Sequence, residues 1–104
     1  MTYRILFSPE AQADLLELYD YIAICSEPER AMRYIERIDA LCRSLETFPE
    51  RGIRRDDIRL GLRVMGFERR VNIAFQIGPE AVTILRILML DVNLKVFQAK
   101  WKNE

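Results

Sequence analysis

The chain has 104 residues and no histidine. That absence removes the usual general base at neutral pH, the Ser-His and Cys-His nucleophile pairs, and most zinc sites. Lysine is absent before Lys95, so arginine carries nearly all the positive charge. Arginine stays protonated, and its planar fork suits bidentate recognition of carboxylate or phosphate, but it is a poor proton-transfer group. There is no phosphate-binding glycine loop and no dinucleotide fingerprint. No apolar run is long enough to span a bilayer, and residues 1–9 hold no separate apolar stretch of secretory-signal length. We therefore expect a cytoplasmic protein with no membrane contact, no cofactor, no metal and no assigned catalytic residue. The two cysteines, Cys25 and Cys42, are too few for zinc without histidine. Each falls in a helical pattern and reads as a small buried hydrophobe rather than as half of a disulfide.

What remains is enough for one domain spanning residues 1–104, and too little for two. Half of the residues are hydrophobic, so a single core is feasible without staples. Acids and bases balance at 16 each, but unevenly along the chain. Residues 8–50 carry ten acids against four arginines, a net of −6. Residues 51–70 carry seven arginines against three acids, a net of +4. Such a layout lets one face attract an acidic partner while the whole stays neutral. The competing reading is that surface charges neutralise one another locally.

Tyr3 to Phe7 reads as a first strand, with Tyr3, Ile5 and Phe7 on one face. Ser8-Pro9-Glu10 is a helix start: Ser8 caps, Pro9 loses nothing by lacking an N–H, and Glu10 faces the positive end of the dipole. Ala11, Leu15, Leu18, Ile22 and Cys25 then form one apolar stripe. Ser26-Glu27-Pro28-Glu29 has capping-box spacing and opens a second helix with the stripe Ala31, Ile35, Ile38, Cys42 and Leu45. Two such helices with a short connection form an antiparallel hairpin, and Pro49 and Gly52 end it.

Residues 50–60 read as a polar, Arg-rich, mobile connection. Leu62 to Met65 is a short strand, turned by Gly66-Phe67-Glu68. Val71, Ile73, Phe75 and Ile77 alternate with more polar residues, which is the cleanest strand signal. Gly78-Pro79-Glu80 is the next turn, and Val82 to Met89, apolar on both faces, suits a central strand. The tail from Asp91 places Leu94, Val96, Phe97 and Trp101 among lysines. The expected architecture is α+β: an N-terminal strand and a helical hairpin packed on a small antiparallel sheet. Acid pairs such as Glu17–Asp20 and Glu36–Asp39 read as solvated helix surface. Arg63, Arg69, Arg70 and Arg86 fall on or beside the sheet, and we expect one sheet face to gather them for docking onto a macromolecule.

The element order, with Ser8-Pro9-Glu10-Ala11, Asp14-Leu15, Tyr21-Ile22, Tyr34-Ile35, Leu45 to Pro49, Asp57-Ile58-Arg59, Gly61-Leu62-Arg63 and Ile84 to Leu88, resembles the ParE/RelE superfamily of bacterial type II toxins. The nearer likeness is to the ParE, plasmid-stabilisation branch. The resemblance covers position 3 to about 90. It implies a toxin neutralised by a cognate antitoxin in a hetero-oligomer, with DNA reached only through the antitoxin. ParE-like members poison DNA gyrase, whereas RelE-like members cleave mRNA on the ribosome with lysines and arginines on the sheet and a late tyrosine. This chain has no lysine on the meander and no tyrosine after Tyr34, which favours the gyrase reading. A histidine and a Gly/Arg segment often follow the last strand in ParE-like chains, but Met89 to Asn93 stands there instead. Two alternatives stay open: a RelE-type endonuclease, and a non-toxic antitoxin-binding module. For the target surface we single out Arg63, Arg69, Arg70, Arg86, Lys100, Trp101 and Lys102. For the antitoxin we single out Arg54, Arg55, Arg59, Leu18 and Ile22. Trp101 reads equally as an anchor holding the tail on the sheet.

Overall fold

A computed structural model describes residues 2–89. Strand β1 (Arg4–Phe7) leads into helices α1 (Pro9–Cys25) and α2 (Pro28–Arg43), then a single 3₁₀ turn at Ser44–Glu46. Strands β2 (Ile53–Arg54), β3 (Leu62–Phe67), β4 (Val71–Ile77) and β5 (Ala81–Met89) follow. They form one five-stranded sheet in the order β1-β5-β4-β3-β2. The fold is α+β with the hairpin on one face, as expected. The sheet is mixed rather than wholly antiparallel, because β1 enters parallel to β5, with Arg4 opposite Ala81 and Phe7 opposite Ile84. That leaves β5 central, between β1 and β4.

The two faces of the sheet bury different clusters. Met65, Val71, Ile73, Phe75, Val82, Ile84 and Ile87 pack with Ala11, Leu18, Ile38, Cys42 and Leu45 of the helical layer. Leu62, Ala74 and Leu88 form a second cluster with Ile58, Val64 and Leu85. The alternation of strand side chains assigns these residues to opposite faces. Burial of the first set removes a large apolar area from water and is the main force holding hairpin to sheet.

Local signals hold in part. Ser8 caps α1, accepting from the Ala11 N–H at 3.0 Å. The capping box at Ser26 does not form. Glu27 is the N-cap of α2 and makes no side-chain bond, while the Ser26 N–H closes α1 onto the Ile22 carbonyl at 2.8 Å. Ser26 is the C-cap of α1, so the N-cap position of α2 falls one residue later, on Glu27. Cys42 is buried but Cys25, at the exposed end of α1, is not, and both are free thiols. The stripe ran one position past the part of α1 that the sheet covers.

Two turns differ from expectation. β3 continues through Gly66 to Phe67, and the chain reverses at residues 68–70, where the Arg70 N–H reaches the Phe67 carbonyl at 3.0 Å. Glu68 and Arg69 take left-handed φ values of 50° and 58° there. The segment 50–60 contains β2 and a folded loop rather than an open connection. Asp56 accepts the Gly61 N–H at 2.8 Å, the Arg55 N–H reaches the Leu62 carbonyl at 2.8 Å, and Ile58 packs on the second cluster.

Candidate functional site

β1 stops at Phe7, opposite Ile84, but β5 runs on to Met89. Helix α1 takes over the edge that β1 vacates. A bulge in β5 opposite Ala74 and Phe75 turns the Ile84 and Leu85 carbonyls both towards Ser8. They accept from the Ser8 N–H at 2.9 Å and the Ser8 hydroxyl at 2.8 Å. Two helical turns further on, Asp14 accepts the Ile87 N–H at 2.9 Å. The Arg86 fork closes on the same carboxylate, Nε to Oδ2 at 2.8 Å and Nη2 to Oδ1 at 2.9 Å. The Asp14 side chain is 7% exposed and that of Arg86 15%. A carboxylate held by a bidentate guanidinium and a backbone N–H is fixed in place, so Asp14 clasps α1 to β5. It is the one buried charged residue among those described.

Sequence reasoning missed Asp14, yet a signal was present. Its number places it with Ala11 and Leu18 at helical spacing, an acid on a core face, and Arg86 is the matching base inside an apolar strand. A buried charge on one element requires a countercharge on another.

The four sheet arginines do not gather on one face. Arg86 is turned to Asp14. Arg63 is half-buried, lies across the β2–β3 pair from Arg54, and donates to the Arg51 carbonyl at 3.4 Å. Arg69 and Arg70 are exposed in the turn between β3 and β4, at the other end of the hairpin from Arg63. The expected single docking face is therefore corrected: strand alternation and one buried acid distribute these groups over different sides. Lys100, Trp101 and Lys102 lie outside the described residues.

Of the residues proposed for the antitoxin, the arginines and the apolar pair lie apart. Arg55 makes a forked bond to Asp57 at 3.0 and 2.9 Å, and Arg54 pairs with Asp56 at 3.2 Å. The Gly61 N–H first, then Arg54, hold the Asp56 carboxyl below the usual range, and the Arg55 bond does the same for Asp57. These exposed pairs are each worth little, but a partner must displace an acid to reach either guanidinium. Arg59 is exposed. Leu18 is buried and Ile22 half-buried on α1, and both line a cleft of about 350 Å³ between the hairpin and the end of the sheet. Arg30 and Tyr34 of α2, and Arg70, complete its rim. Only Arg70 of those three had been singled out from the sequence.

Arg37 joins the layers beside this cleft. It pairs with Glu68 at 3.0 Å and lies over the Tyr34 and Phe67 rings at 5.2 and 5.8 Å. Tyr34 meets Phe67 edge-on at 5.4 Å. Burial, then Glu68, push the Tyr34 hydroxyl above its ordinary value, against the opposing effect of Arg70 and Arg37. It therefore stays a donor at neutral pH.

No curated protein sequence matches the chain. A solved structure described as the chromosomal ParDE TA system from P. aeruginosa is similar to it, with a TM-score of 0.74 and 25% identity, over 85% of this chain and 96% of that one. The family model for the ParE toxin of the type II toxin–antitoxin system parDE matches residues 5–89, and the chain belongs to that family.

Proposed function

We propose that this ParE-family toxin acts by binding DNA gyrase and blocking its supercoiling, and that a cognate antitoxin holds it inactive in a hetero-oligomer in the cytoplasm. The supporting observation is the state of Asp14. The single buried carboxylate among the described residues is consumed by Arg86 and the Ile87 N–H, and the sequence has no histidine. A docking mechanism needs no base, whereas phosphodiester cleavage needs a proton acceptor at the nucleophile. The exposed pair Arg69 and Arg70, on a turn whose backbone is set by two left-handed residues, is the part of the arginine set best placed to meet a large target. Arg63, Arg54, Arg55 and Arg59 lie elsewhere and serve a second contact. Plasmid stabilisation follows as the biological role, and contact with DNA runs through the antitoxin.

Purified toxin should inhibit gyrase supercoiling of relaxed plasmid, and added antitoxin should restore it. Full supercoiling at a large molar excess of toxin would refute this. Mapping 5′ ends on translated mRNA in the same strain separates the nuclease reading, which requires site-specific cuts.

A further inference from the structure

The turn between β3 and β4 is built against the preference of its own residues. Glu68 and Arg69 both lie in the left-handed region, at φ 50° and 58°, and the Arg70 N–H closes onto the Phe67 carbonyl. Two consecutive positive φ values are the signature of a type I′ turn, which Asn-Gly or Gly-Gly satisfies at least cost. Side chains with a Cβ crowd the following carbonyl there, so a Glu-Arg pair persists only where neighbours hold it. Those neighbours come from α2. Arg37 Nη2 donates to Glu68 Oε1 at 3.0 Å and lies 3.0 Å from Oε2. The same guanidinium lies over the Tyr34 and Phe67 rings, and those rings meet edge-on. Phe67 is the last residue of β3, so the clamp grips both the strand end and the first residue of the turn.

The pairing also sorts charge. Glu68, Arg69 and Arg70 follow one another, and a free acid there would screen the two guanidinium groups beside it. Arg37 draws Glu68 towards the helical layer instead. Arg69 and Arg70 are exposed and have no acidic partner among the described residues, unlike Arg37, Arg43, Arg54, Arg55 and Arg86. The Arg37 and Glu68 side chains are themselves 54% and 46% exposed, so their pair contributes little to overall stability.

We propose that Arg37 is a positioning residue for target binding: by holding Glu68 and the Phe67 ring, it keeps the turn left-handed and presents Arg69 and Arg70 together to acidic groups of the target. This rests on the reading of the chain as a gyrase inhibitor that docks through that turn. It adds a residue on another element that does not itself touch the target, and a reason for Glu-Arg at the centre of the turn. A turn already held in its binding shape raises the apparent affinity in proportion to the fraction of molecules that have that shape.

The test is inhibition of gyrase supercoiling by the full chain, with melting temperatures and backbone NMR shifts of the same proteins. Arg37→Ala should raise the half-inhibitory concentration about tenfold and move the Glu68 and Arg69 Cα and Cβ resonances away from left-handed values. Its melting temperature should fall by about 5 °C or less, whereas a residue that only holds the fold would lower the melting temperature and spare inhibition. Arg37→Lys keeps the ion pair but loses the flat stack on the rings, and should stay within about threefold of the wild type. Arg69→Ala with Arg70→Ala should cost about a hundredfold, the scale of two lost charge-assisted bonds. Adding Arg37→Ala to that pair should change inhibition by less than about twofold, because nothing remains for Arg37 to position. Glu68→Gly in the Arg37→Ala chain should recover most of the lost inhibition, since glycine takes positive φ without help. A further full tenfold loss on adding Arg37→Ala to the Arg69 and Arg70 variant would make Arg37 a direct contact and overturn the proposal. Unchanged inhibition by Arg37→Ala, or turn resonances that stay in place, with the wild type still inhibiting, would overturn it and leave the gyrase reading standing. A wild-type chain that leaves supercoiling intact would overturn both.

Discussion

Removing the Asp14 carboxylate is the sharpest perturbation this fold allows. Asp14→Ala takes from Arg86 two bonds of 2.8 and 2.9 Å, and from the Ile87 N–H its acceptor at 2.9 Å. The guanidinium, 15% exposed, keeps only what its other neighbours supply. Breaking one side of a buried pair costs about 3–5 kcal/mol; because Arg86 is not wholly enclosed, we expect about 3 kcal/mol at the lower end of that range. For a domain of this size that is a fall in Tm of roughly 12–20 °C, and a large share of a typical total stability. Asp14→Asn keeps one acceptor oxygen, which in the Oδ2 position meets two of the three N–H donors, and should cost less, about 2 kcal/mol. The double variant Asp14→Leu with Arg86→Met removes both charges and should recover much of the loss. Its remaining deficit comes from the unpaired Ile87 N–H, about 1–3 kcal/mol. Urea unfolding of the wild type, Asp14→Leu, Arg86→Met and the double variant gives the coupling energy, which we expect to be about 2 kcal/mol. Additive single effects, or a cost below about 1 kcal/mol for Asp14→Ala, would show that the clasp does not join α1 to β5 in the way described.

Three further outcomes follow from the geometry. Burial, with Asp39 adding and Arg43 opposing, pushes the Cys42 thiol up to about 12, while Cys25 is exposed. Alkylation of the native chain near pH 8 should therefore add one label by mass spectrometry, at Cys25, and two only in denaturant. Gly52 has φ 75°, and a Cβ there would clash with the Val64 carbonyl oxygen. Gly52→Ala should lower the urea midpoint by the equivalent of about 2 kcal/mol, whereas Gly66→Ala, whose nearest neighbour would be Asn72 Oδ1 at 3.9 Å, should leave it nearly unchanged. Asp56 titrates below its ordinary 3.8 because the folded state binds its anion. The stabilisation is thus present above that value and lost as pH falls through the lowered one. The Gly61 amide shift should stay constant from pH 7 down to pH 4 and move only below it, and movement near neutrality would contradict the Asp56 contact.

Much of this molecule was readable from residue order, because helical and strand periodicities report which faces are apolar wherever the chain ends up. Ala11, Leu18, Ile38, Cys42 and Leu45 were assigned to the core from spacing, and all are buried. The alternation from Val71 to Ile77 is a strand with its apolar set inward. Ser8 caps as its place before Pro9 required. Family-level likeness was also visible, since it lies in the succession of these same local signals.

Periodicity is silent about how separate elements meet. It does not say that β1 lies parallel to β5, since that pairing joins residues some 77 positions apart, and strand direction depends on where the hairpin returns the chain. Nor does it say that β1 ends early, which is what recruits Ser8 and Asp14 to the bare edge of β5 and draws Arg86 inside. The dispersal of Arg63, Arg70 and Arg86 follows from those pairings, as does the coming together of Arg30, Tyr34 and Arg70 around one cleft. A residue's own chemistry is written in its letter; whether it ends as a clasp, a surface charge or the rim of a groove depends on neighbours that only folding brings within hydrogen-bond range.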